Sequence, residues 1–376
     1  MAGLPDARIE RRLAERPNNQ VINANTYSYV RRGGTEDVKR MNPTSAGGDI
    51  RQGGSESPQI ADSCATQSHN LVDASLQGQV QNWIAQDIRQ TSAGRYDGCC
   101  NVLSLDGMHI VHEHQNQAVY KTGITPKNIC TVSLAFNSDP ALRFSQFSNT
   151  LDSWLFFLPE EHEFDIKLPG DMEILYVCLE QDSLMAGARI LNERYWERPP
   201  AELQIFNTGW RNQVAGHLMS LLRHFSRANT PPPLATITDA ILLAMNNATE
   251  VLTSDVSEYK ARRRYHQLVK NAREFIDAHL QVGKIPGVVD ICAYTGVSQR
   301  TLQYAFLSEL QLSPLAYIRI VRLNRVRAQL LGASPSETTV TNVATAWGFF
   351  HLGKFSQDYR RMFGELPSAS LAHACG

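Results

Sequence analysis

The stretch DICAYTGVSQRTLQYAF, residues 290–306, reads as a short helix, a glycine turn and a second helix, and VATAWGFFHLGKFSQDY, residues 343–359, repeats the pattern. In each copy a small residue (Cys292, Ala344) lets two helices approach, and a glycine (Gly296, Gly348) supplies the left-handed turn that ends the first of them. An apolar residue follows (Val297, Phe349). The second helix is then expected to bury Leu302 and Phe306 in one copy, Phe355 and Tyr359 in the other. Helix pairs of this form present the free face of the second helix to a DNA major groove. The glycines lie 52 positions apart (348 − 296), an interval filled by a helix predicted over Pro314–Leu331 and ended by Gly332. Such a spacer holds two recognition helices roughly 34 Å apart, one turn of B-DNA, so that one subunit reads two adjacent major-groove segments.

Charge is distributed in keeping with that reading. From residue 261 onward there are 14 Lys and Arg against 7 Asp and Glu, a net +7, while the whole chain sums to −1, so the rest is acidic. A basic module joined to an acidic one divides phosphate binding from some other task. The chain has 376 residues, enough for two or three domains. Its start, MAGLPDARIERRLAERPNNQ, lacks the apolar stretch of a secretory signal, and no apolar run approaches a bilayer span. A cytoplasmic protein without membrane contact is expected. Seven cysteines, an odd number without metal-ligand spacing, indicate reduced thiols. The adjacent Cys99 and Cys100 are expected on opposite faces of one strand.

Residues 1–70, rich in Arg, Asn, Gly, Ser and Gln, read as a disordered or loosely attached tail. Residues 71–90 offer one amphipathic helix with Leu76, Val80, Trp83 and Ile84 on a face. From about 98 to 180 the period falls to two. Cys130, Val132, Leu134 and Phe136 alternate with Thr131, Ser133 and Ala135, and Phe164, Ile166 and Leu168 with Asp165 and Lys167. Turn formers at Asp106-Gly107, Asn137–Pro140 and Pro169–Asp171 separate these strands, which suggests a sandwich or small barrel. Helices over Trp210–Arg227 and Ala235–Val251 follow. The first carries Val214, His217, Leu218, Leu221, Leu222 and Phe225 as a stripe for the barrel or for a second subunit. The expected division is thus a tail at 1–70, a β-rich sensing domain at 71–190, a helical packing or dimerisation segment at 191–252, a linker at 253–261, and a DNA-binding domain at 262–376 whose scaffold helix runs from about Arg263 to Gln281.

GVSQRTLQYAF (296–306), Leu312-Ser313-Pro314 with Tyr317, RLNRV (322–326), WGFFHLGKF (347–355), YRRMFG (359–364) and Pro367-Ser368 together resemble the AraC/XylS family of bacterial transcription regulators. The resemblance covers roughly the last 100 residues. Residues from Gln79 to about Leu179, including Ser92–Gly98 and His112–Asn116, are similar to the sensor domains of ethanolamine-operon regulators. The resemblance implies an α+β multidomain chain: an N-terminal jelly-roll-like or barrel sensor with a helical dimerisation segment, and a C-terminal all-α domain with two helix-turn-helix motifs. It also implies a homodimer, a small-molecule effector of unknown identity, double-stranded DNA and RNA polymerase as partners, activation of transcription, and no catalytic residues, cofactor or metal. By position, the family's base-reading residues fall on Arg300, Gln303 and Tyr304, and on His351, Leu352, Gly353, Lys354 and Gln357. The chemistry of the residues agrees for some of them. An Arg donates two hydrogen bonds to a guanine edge, a Gln pairs with adenine, and Leu352 and Gly353 provide only apolar contact or close approach. Ser298 is an N-cap candidate beside helix amides able to hold a phosphate.

Two further constellations carry competing readings. Gly107, His112-Glu113-His114 and Gly123 approach the first metal motif of the cupins, but Gln115–Gln117 stand where the next glutamate belongs and no later histidine falls in register. These residues are strand positions of a ligand-binding barrel or exposed polar positions, and the cupin-like metalloenzyme with an attached helical domain is the alternative from another class. For the effector, the aromatic run at Trp154–Phe157 and its surroundings nominate His114, Tyr120, Trp154 and Tyr176, with core packing as the simpler account of most aromatic residues. A constitutive DNA-binding protein whose N-terminal domain only dimerises is the third reading.

Overall fold

The computed structural model describes residues 65–136, 139–145, 147–148, 154–225, 234–252 and 257–373. Most of the expected tail and the first part of the expected linker lie outside them. β1 (Ala65–Leu71) nevertheless falls inside the stretch whose composition reads as a tail, because it pairs along its whole length with β3 (Gly98–Leu105). The helix expected over 71–90 is shorter. α1 (Ala74–Val80), capped by the Asp73 carboxylate accepting from the Ser75 amide at 2.9 Å, stops where Gln81 turns its amide to Glu113. Residues 85–90 then form β2 (Ala85–Gln90). There Ile88 enters the core while Asp87 and Arg89 point the other way, a period of two that overrides the helical spacing upstream.

β4 (Met108–Gln115) closes a hairpin with β3 through Gly107, and β5 (Val119–Ile124), β6 (Ile129–Ala135), β7 (Arg143–Phe144), β8 (Phe147–Ser148), β9 (Trp154–Leu158), β10 (Glu163–Leu168) and β11 (Met172–Glu180) follow. α2 (Gln181–Leu191), β12 (Gln204–Asn207), α3 (Arg211–Phe225), α4 (Leu234–Asn246) and β13 (Glu250–Leu252) complete the region. α4 ends before the predicted Val251 because 250–252 pair with β12. The strands make two sheets, ordered β1-β3-β4-β11-β6-β9-β12-β13 and β2-β5-β10-β7-β8. The architecture is therefore an open sandwich, and the closed barrel among the expectations is corrected. The larger sheet is buried on both sides. Val102, Val111, Phe156 and Tyr176 face the smaller sheet, and Leu103, Ile110, Phe157 and Val177 face α2, α3 and α4. Double burial explains why β9 reads as an unbroken apolar run. Cys100 is fully buried and Cys99 partly exposed, one on each face of β3.

The C-terminal part is all helical: α5 (Ser257–Gln281), α6 (Val288–Thr295), α7 (Gln299–Leu310), α8 (Pro314–Leu331), α9 (Val340–Ala346), α10 (Leu352–Phe363) and α11 (Pro367–His373). α5 begins inside the expected linker. α8 starts as its sequence dictates, with the Ser313 hydroxyl accepting from the Ala316 amide at 3.2 Å and Pro314 in the first turn. Its N-terminal half gives Tyr317, Ile318 and Val321 to one core, and its C-terminal half gives Leu323, Val326 and Leu330 to another. With 18 residues it spans about 27 Å. Among the described residues no helix is long and apolar enough to cross a membrane.

Candidate nucleic-acid interface and interior cavity

In the first helix pair Gly296 adopts φ +69° and ends α6, and the Ser298 hydroxyl accepts from the Thr301 amide at 3.2 Å to start α7. α7 buries Leu302, Ala305, Phe306 and Leu310, with Phe306 edge-on to Tyr317 of α8. The opposite face leaves Arg300, Gln303 and Tyr304 in solvent. Arg300 Nη2 donates to the Tyr304 hydroxyl at 3.2 Å, one helical turn along, which steadies a long cation that otherwise has many rotamers.

The second pair is held more tightly. Gly348 adopts φ +73°, and a side chain there would run into Ile285 and Arg322. Arg322 lies 4.1 Å over the Phe349 ring and donates to the Trp347 carbonyl at 2.8 Å, while the Trp347 indole donates to Gln329 at 2.9 Å. Three contacts thereby fasten this turn to α8. α10 buries Phe355, Tyr359, Met362 and Phe363 and exposes His351, Gly353, Lys354 and Gln357, with Leu352 half-buried. Asp358, though buried, lies against Arg319, Arg361 at 3.2 Å and Lys354 at 3.5 Å, so it orders cations beside the free face. Phe350 is 76% exposed at the start of this helix. It was not singled out in the sequence, where its neighbour Phe349 looked like the same apolar feature.

Not all of the positive charge counted in this domain faces solvent. Arg273 (α5) donates to the Tyr120 hydroxyl, to Asp165 at 3.2 Å and to the Tyr317 hydroxyl at 3.2 Å, and its guanidinium lies 4.1 Å over the Tyr120 ring. Arg327 pairs with Asp73, and Arg325 with Asp87 at 3.2 Å. From the sandwich side, Arg89 reaches Asp277 at 3.0 Å and the Tyr317 hydroxyl at 3.3 Å. Asn324 and the Gln90 backbone exchange hydrogen bonds of 2.9 and 3.1 Å. The helical domain thus sits on the outer face of β2, β5 and β10 through buried ion pairs. Burial works to raise the Asp87 carboxyl, but Arg89 and Arg325 outweigh it and hold its pKa below the ordinary carboxylate value.

The inner face of the same three strands walls a cavity of about 60 Å³, lined by Ile84, Phe164, Ile166 and Leu168 on this side and by Ser133, Leu134, Phe156 and Tyr176 across from it. Its polar feature is a buried ion pair between Lys121 and Glu113. The Glu113 carboxylate also accepts from Gln77 and, at 2.8 Å, from Gln81. Burial, and after it Glu113, push the Tyr176 phenol far above its ordinary pKa, so it stays protonated. Of the four residues nominated around an effector, Tyr176 lines the cavity. Tyr120 points to the opposite face of β5 and holds Arg273. Trp154 packs edge-on against Phe156, with ring centroids 6.1 Å apart, behind the wall. His114 shares the helix-covered face of the large sheet with Ile110 and His112, and His112 Nε2 lies 2.5 Å from Glu173. Within the cupin-like motif, then, the glutamate and the histidines sit on opposite faces of β4. Among the described residues no group of three or more His, Cys, Asp or Glu is arranged to hold a metal. Strand alternation separates Glu113 from its neighbours, and that was the signal available in the sequence.

The geometry of residues 288–363 defines a protein with a tandem helix-turn-helix unit. Residues 291–372 match the family model described as a helix-turn-helix domain. The chain is 36% identical over 104 residues to the probable thc operon regulatory protein of Rhodococcus erythropolis, covering 28% of this chain and 31% of the relative. It is 27% identical over 187 residues to XylDLEGF operon transcriptional activator 3 of Pseudomonas putida, covering 49% and 55%. A solved structure of a probable AraC family transcriptional regulator from Rhodopseudomonas palustris CGA009 is 38% identical, covers 29% of this chain and 97% of that one, and gives a TM-score of 0.27. The C-terminal domain is of the AraC/XylS type. The chain spans between 17% and 66% of the length of these and other curated relatives, and none of them extends the likeness to ethanolamine-operon sensors.

Proposed function

We propose that the chain is a transcription regulator that binds double-stranded DNA through both recognition helices and responds to a small molecule held inside the sandwich, with no chemical step. The observation that carries this reading is the position of the three-stranded wall β2-β5-β10, with the cavity on one face and the DNA-binding domain on the other. Tyr120 and Lys121 are successive residues of β5, one bonded to Arg273 and one to Glu113. An effector that displaces Lys121 therefore moves Tyr120 and its hold on α5. A second link runs along α1, whose Gln77 binds Glu113 and whose cap residue Asp73 binds Arg327. Effector binding shifts the population between arrangements of the two domains by its differential affinity for them.

On DNA, Arg300 reads a guanine edge and Gln303 an adenine, with Tyr304 beside them. His351, Lys354 and Gln357 reach the second groove segment, where Leu352 and Gly353 permit apolar contact and close approach. Ser298 uses its hydroxyl in its own cap, so its contribution is the free amides at the start of α7, directed at a phosphate. Ile190, Leu191 and Leu243, exposed on α2 and α4, supply an apolar surface for a second copy of the chain, and the regulator acts in the cytoplasm as an activator that meets RNA polymerase. The test is a gel-shift titration with Arg300→Ala. It is expected to weaken specific binding by about 1–3 kcal/mol and relax one base position. Unchanged affinity and sequence preference would reject the assignment.

A further inference from the structure

Resting on the reading of the cavity as the effector site, we infer that it takes an uncharged molecule of a few non-hydrogen atoms, which hydrogen-bonds to Ser133 and Lys121. The volume of about 60 Å³ is several times the roughly 10–15 Å³ that one water needs but less than half of the roughly 150 Å³ of a cavity that takes benzene, which suits a molecule of a few non-hydrogen atoms. Phe144, Phe156 and Phe164 with Leu158, Ile166 and Leu168 make the walls apolar and largely aromatic. Against them stands a small polar set with capacity to spare. The Ser133 hydroxyl is buried and has no partner among the described residues, an arrangement that costs free energy unless something fills it. The Lys121 ammonium has three N–H donors and gives one to Glu113.

The charge of the ligand follows from how Glu113 is held. Three donors already surround its carboxylate, and one of them is Lys121, so the two formal charges of the cavity cancel. An anion entering here has to draw Lys121 away from Glu113 and leave that carboxylate buried with two amides. A cation finds Glu113 already neutralised. Either ion becomes an unpaired charge in an apolar wall, which is the costly case. A carbonyl or hydroxyl has no such conflict, because it accepts from Lys121 and Ser133 while the ion pair stays intact.

Acetamide, acetate and acetamidine share one shape and carry charges of 0, −1 and +1. Titrated into the full chain and followed by calorimetry and melting temperature, acetamide is expected to bind at least tenfold more tightly than either ion. Ser133→Ala is expected to weaken acetamide severalfold. Glu113→Gln, which leaves Lys121 without its counter-charge, is expected to invert the order in favour of acetate; if that variant melts early, the wild-type ranking still decides. Acetate or acetamidine bound by the wild type as tightly as acetamide overturns the uncharged class and leaves the cavity standing. Acetamide binding that ignores Ser133→Ala overturns the assignment to this site. Failure of all three to bind overturns the effector-cavity reading and this inference with it.

Discussion

Arg273→Met tests one of the contacts that join the two domains. Arg273 and Asp165 are 8% and 10% exposed at their side chains and 3.2 Å apart. At an effective dielectric of about 20 their mutual attraction is roughly 5 kcal/mol before desolvation is charged against it. Methionine keeps the packing against the Tyr120 ring but leaves Asp165 without its guanidinium partner, beside Tyr120 and His266, the latter at 3.7 Å. Removing one member of a buried pair costs about 3–5 kcal/mol, most of it from the charge left behind. Adding Asp165→Asn removes that charge, so the double variant is expected to recover about 2–3 kcal/mol relative to the sum of the single ones. Equilibrium urea unfolding of the full chain, followed by tryptophan fluorescence and circular dichroism, measures both quantities. Arg273→Met is expected to leave the unfolding a single transition, since Arg89–Asp277, Arg325–Asp87 and Arg327–Asp73 still join the sandwich to the helical domain. A loss below about 1 kcal/mol, or strict additivity in the double variant, would refute the claim that this pair is buried and coupled.

Gly348→Ala and Gly296→Ala are each expected to cost the about 1–2 kcal/mol of a left-handed alanine, because Gly296 has open space around it and Gly348 meets only the movable ends of Ile285 and Arg322. Thermal melts of the two variants, run side by side, check this, and no loss in either would contradict it. Part of the acid sensitivity should trace to His266, where burial lowers the pKa below its ordinary 6.5 despite the attraction of Asp165, as burial also does for His109 and His162. The folded form then holds it neutral while the unfolded chain takes up the proton, so stability is flat above about pH 6.5 and falls as the pH drops below that value. His266→Gln should make that acid limb shallower in urea titrations between pH 7.5 and 5, and an unchanged limb would assign it to His109, His162 or another group.

The helical domain was the more legible half because its signals are local. A left-handed glycine, an N-cap serine and a proline in the first turn each act within a few residues, so Pro314–Leu331 emerged from the chain with the boundaries observed. The sandwich depends on which strands meet across long separations. Its alternation was readable at Cys130–Phe136, but the pairing of β1 with β3 and the turning of 85–90 into a strand need partners that no local pattern names. The base-facing residues follow from helix periodicity once the helices are placed. The cavity does not: Lys121 and Glu113 come together only through the sheet topology, and Gln77 and Gln81 join them from a helix upstream. Arg273, Arg325 and Arg327 show the limit of counting charges, since their partners Asp165, Asp87 and Asp73 lie far away in sequence and their charge is spent within the molecule.

Hydroxyl-radical footprinting of the full chain on a selected binding site, repeated with Arg300→Ala and with Lys354→Ala combined with Gln357→Ala, bears most directly on the central claim. Two protected patches about one helical turn apart are expected, with the first variant erasing one and the second variant the other. A single patch, or two patches lost together in either variant, would contradict the reading of consecutive grooves by the two helices of one chain.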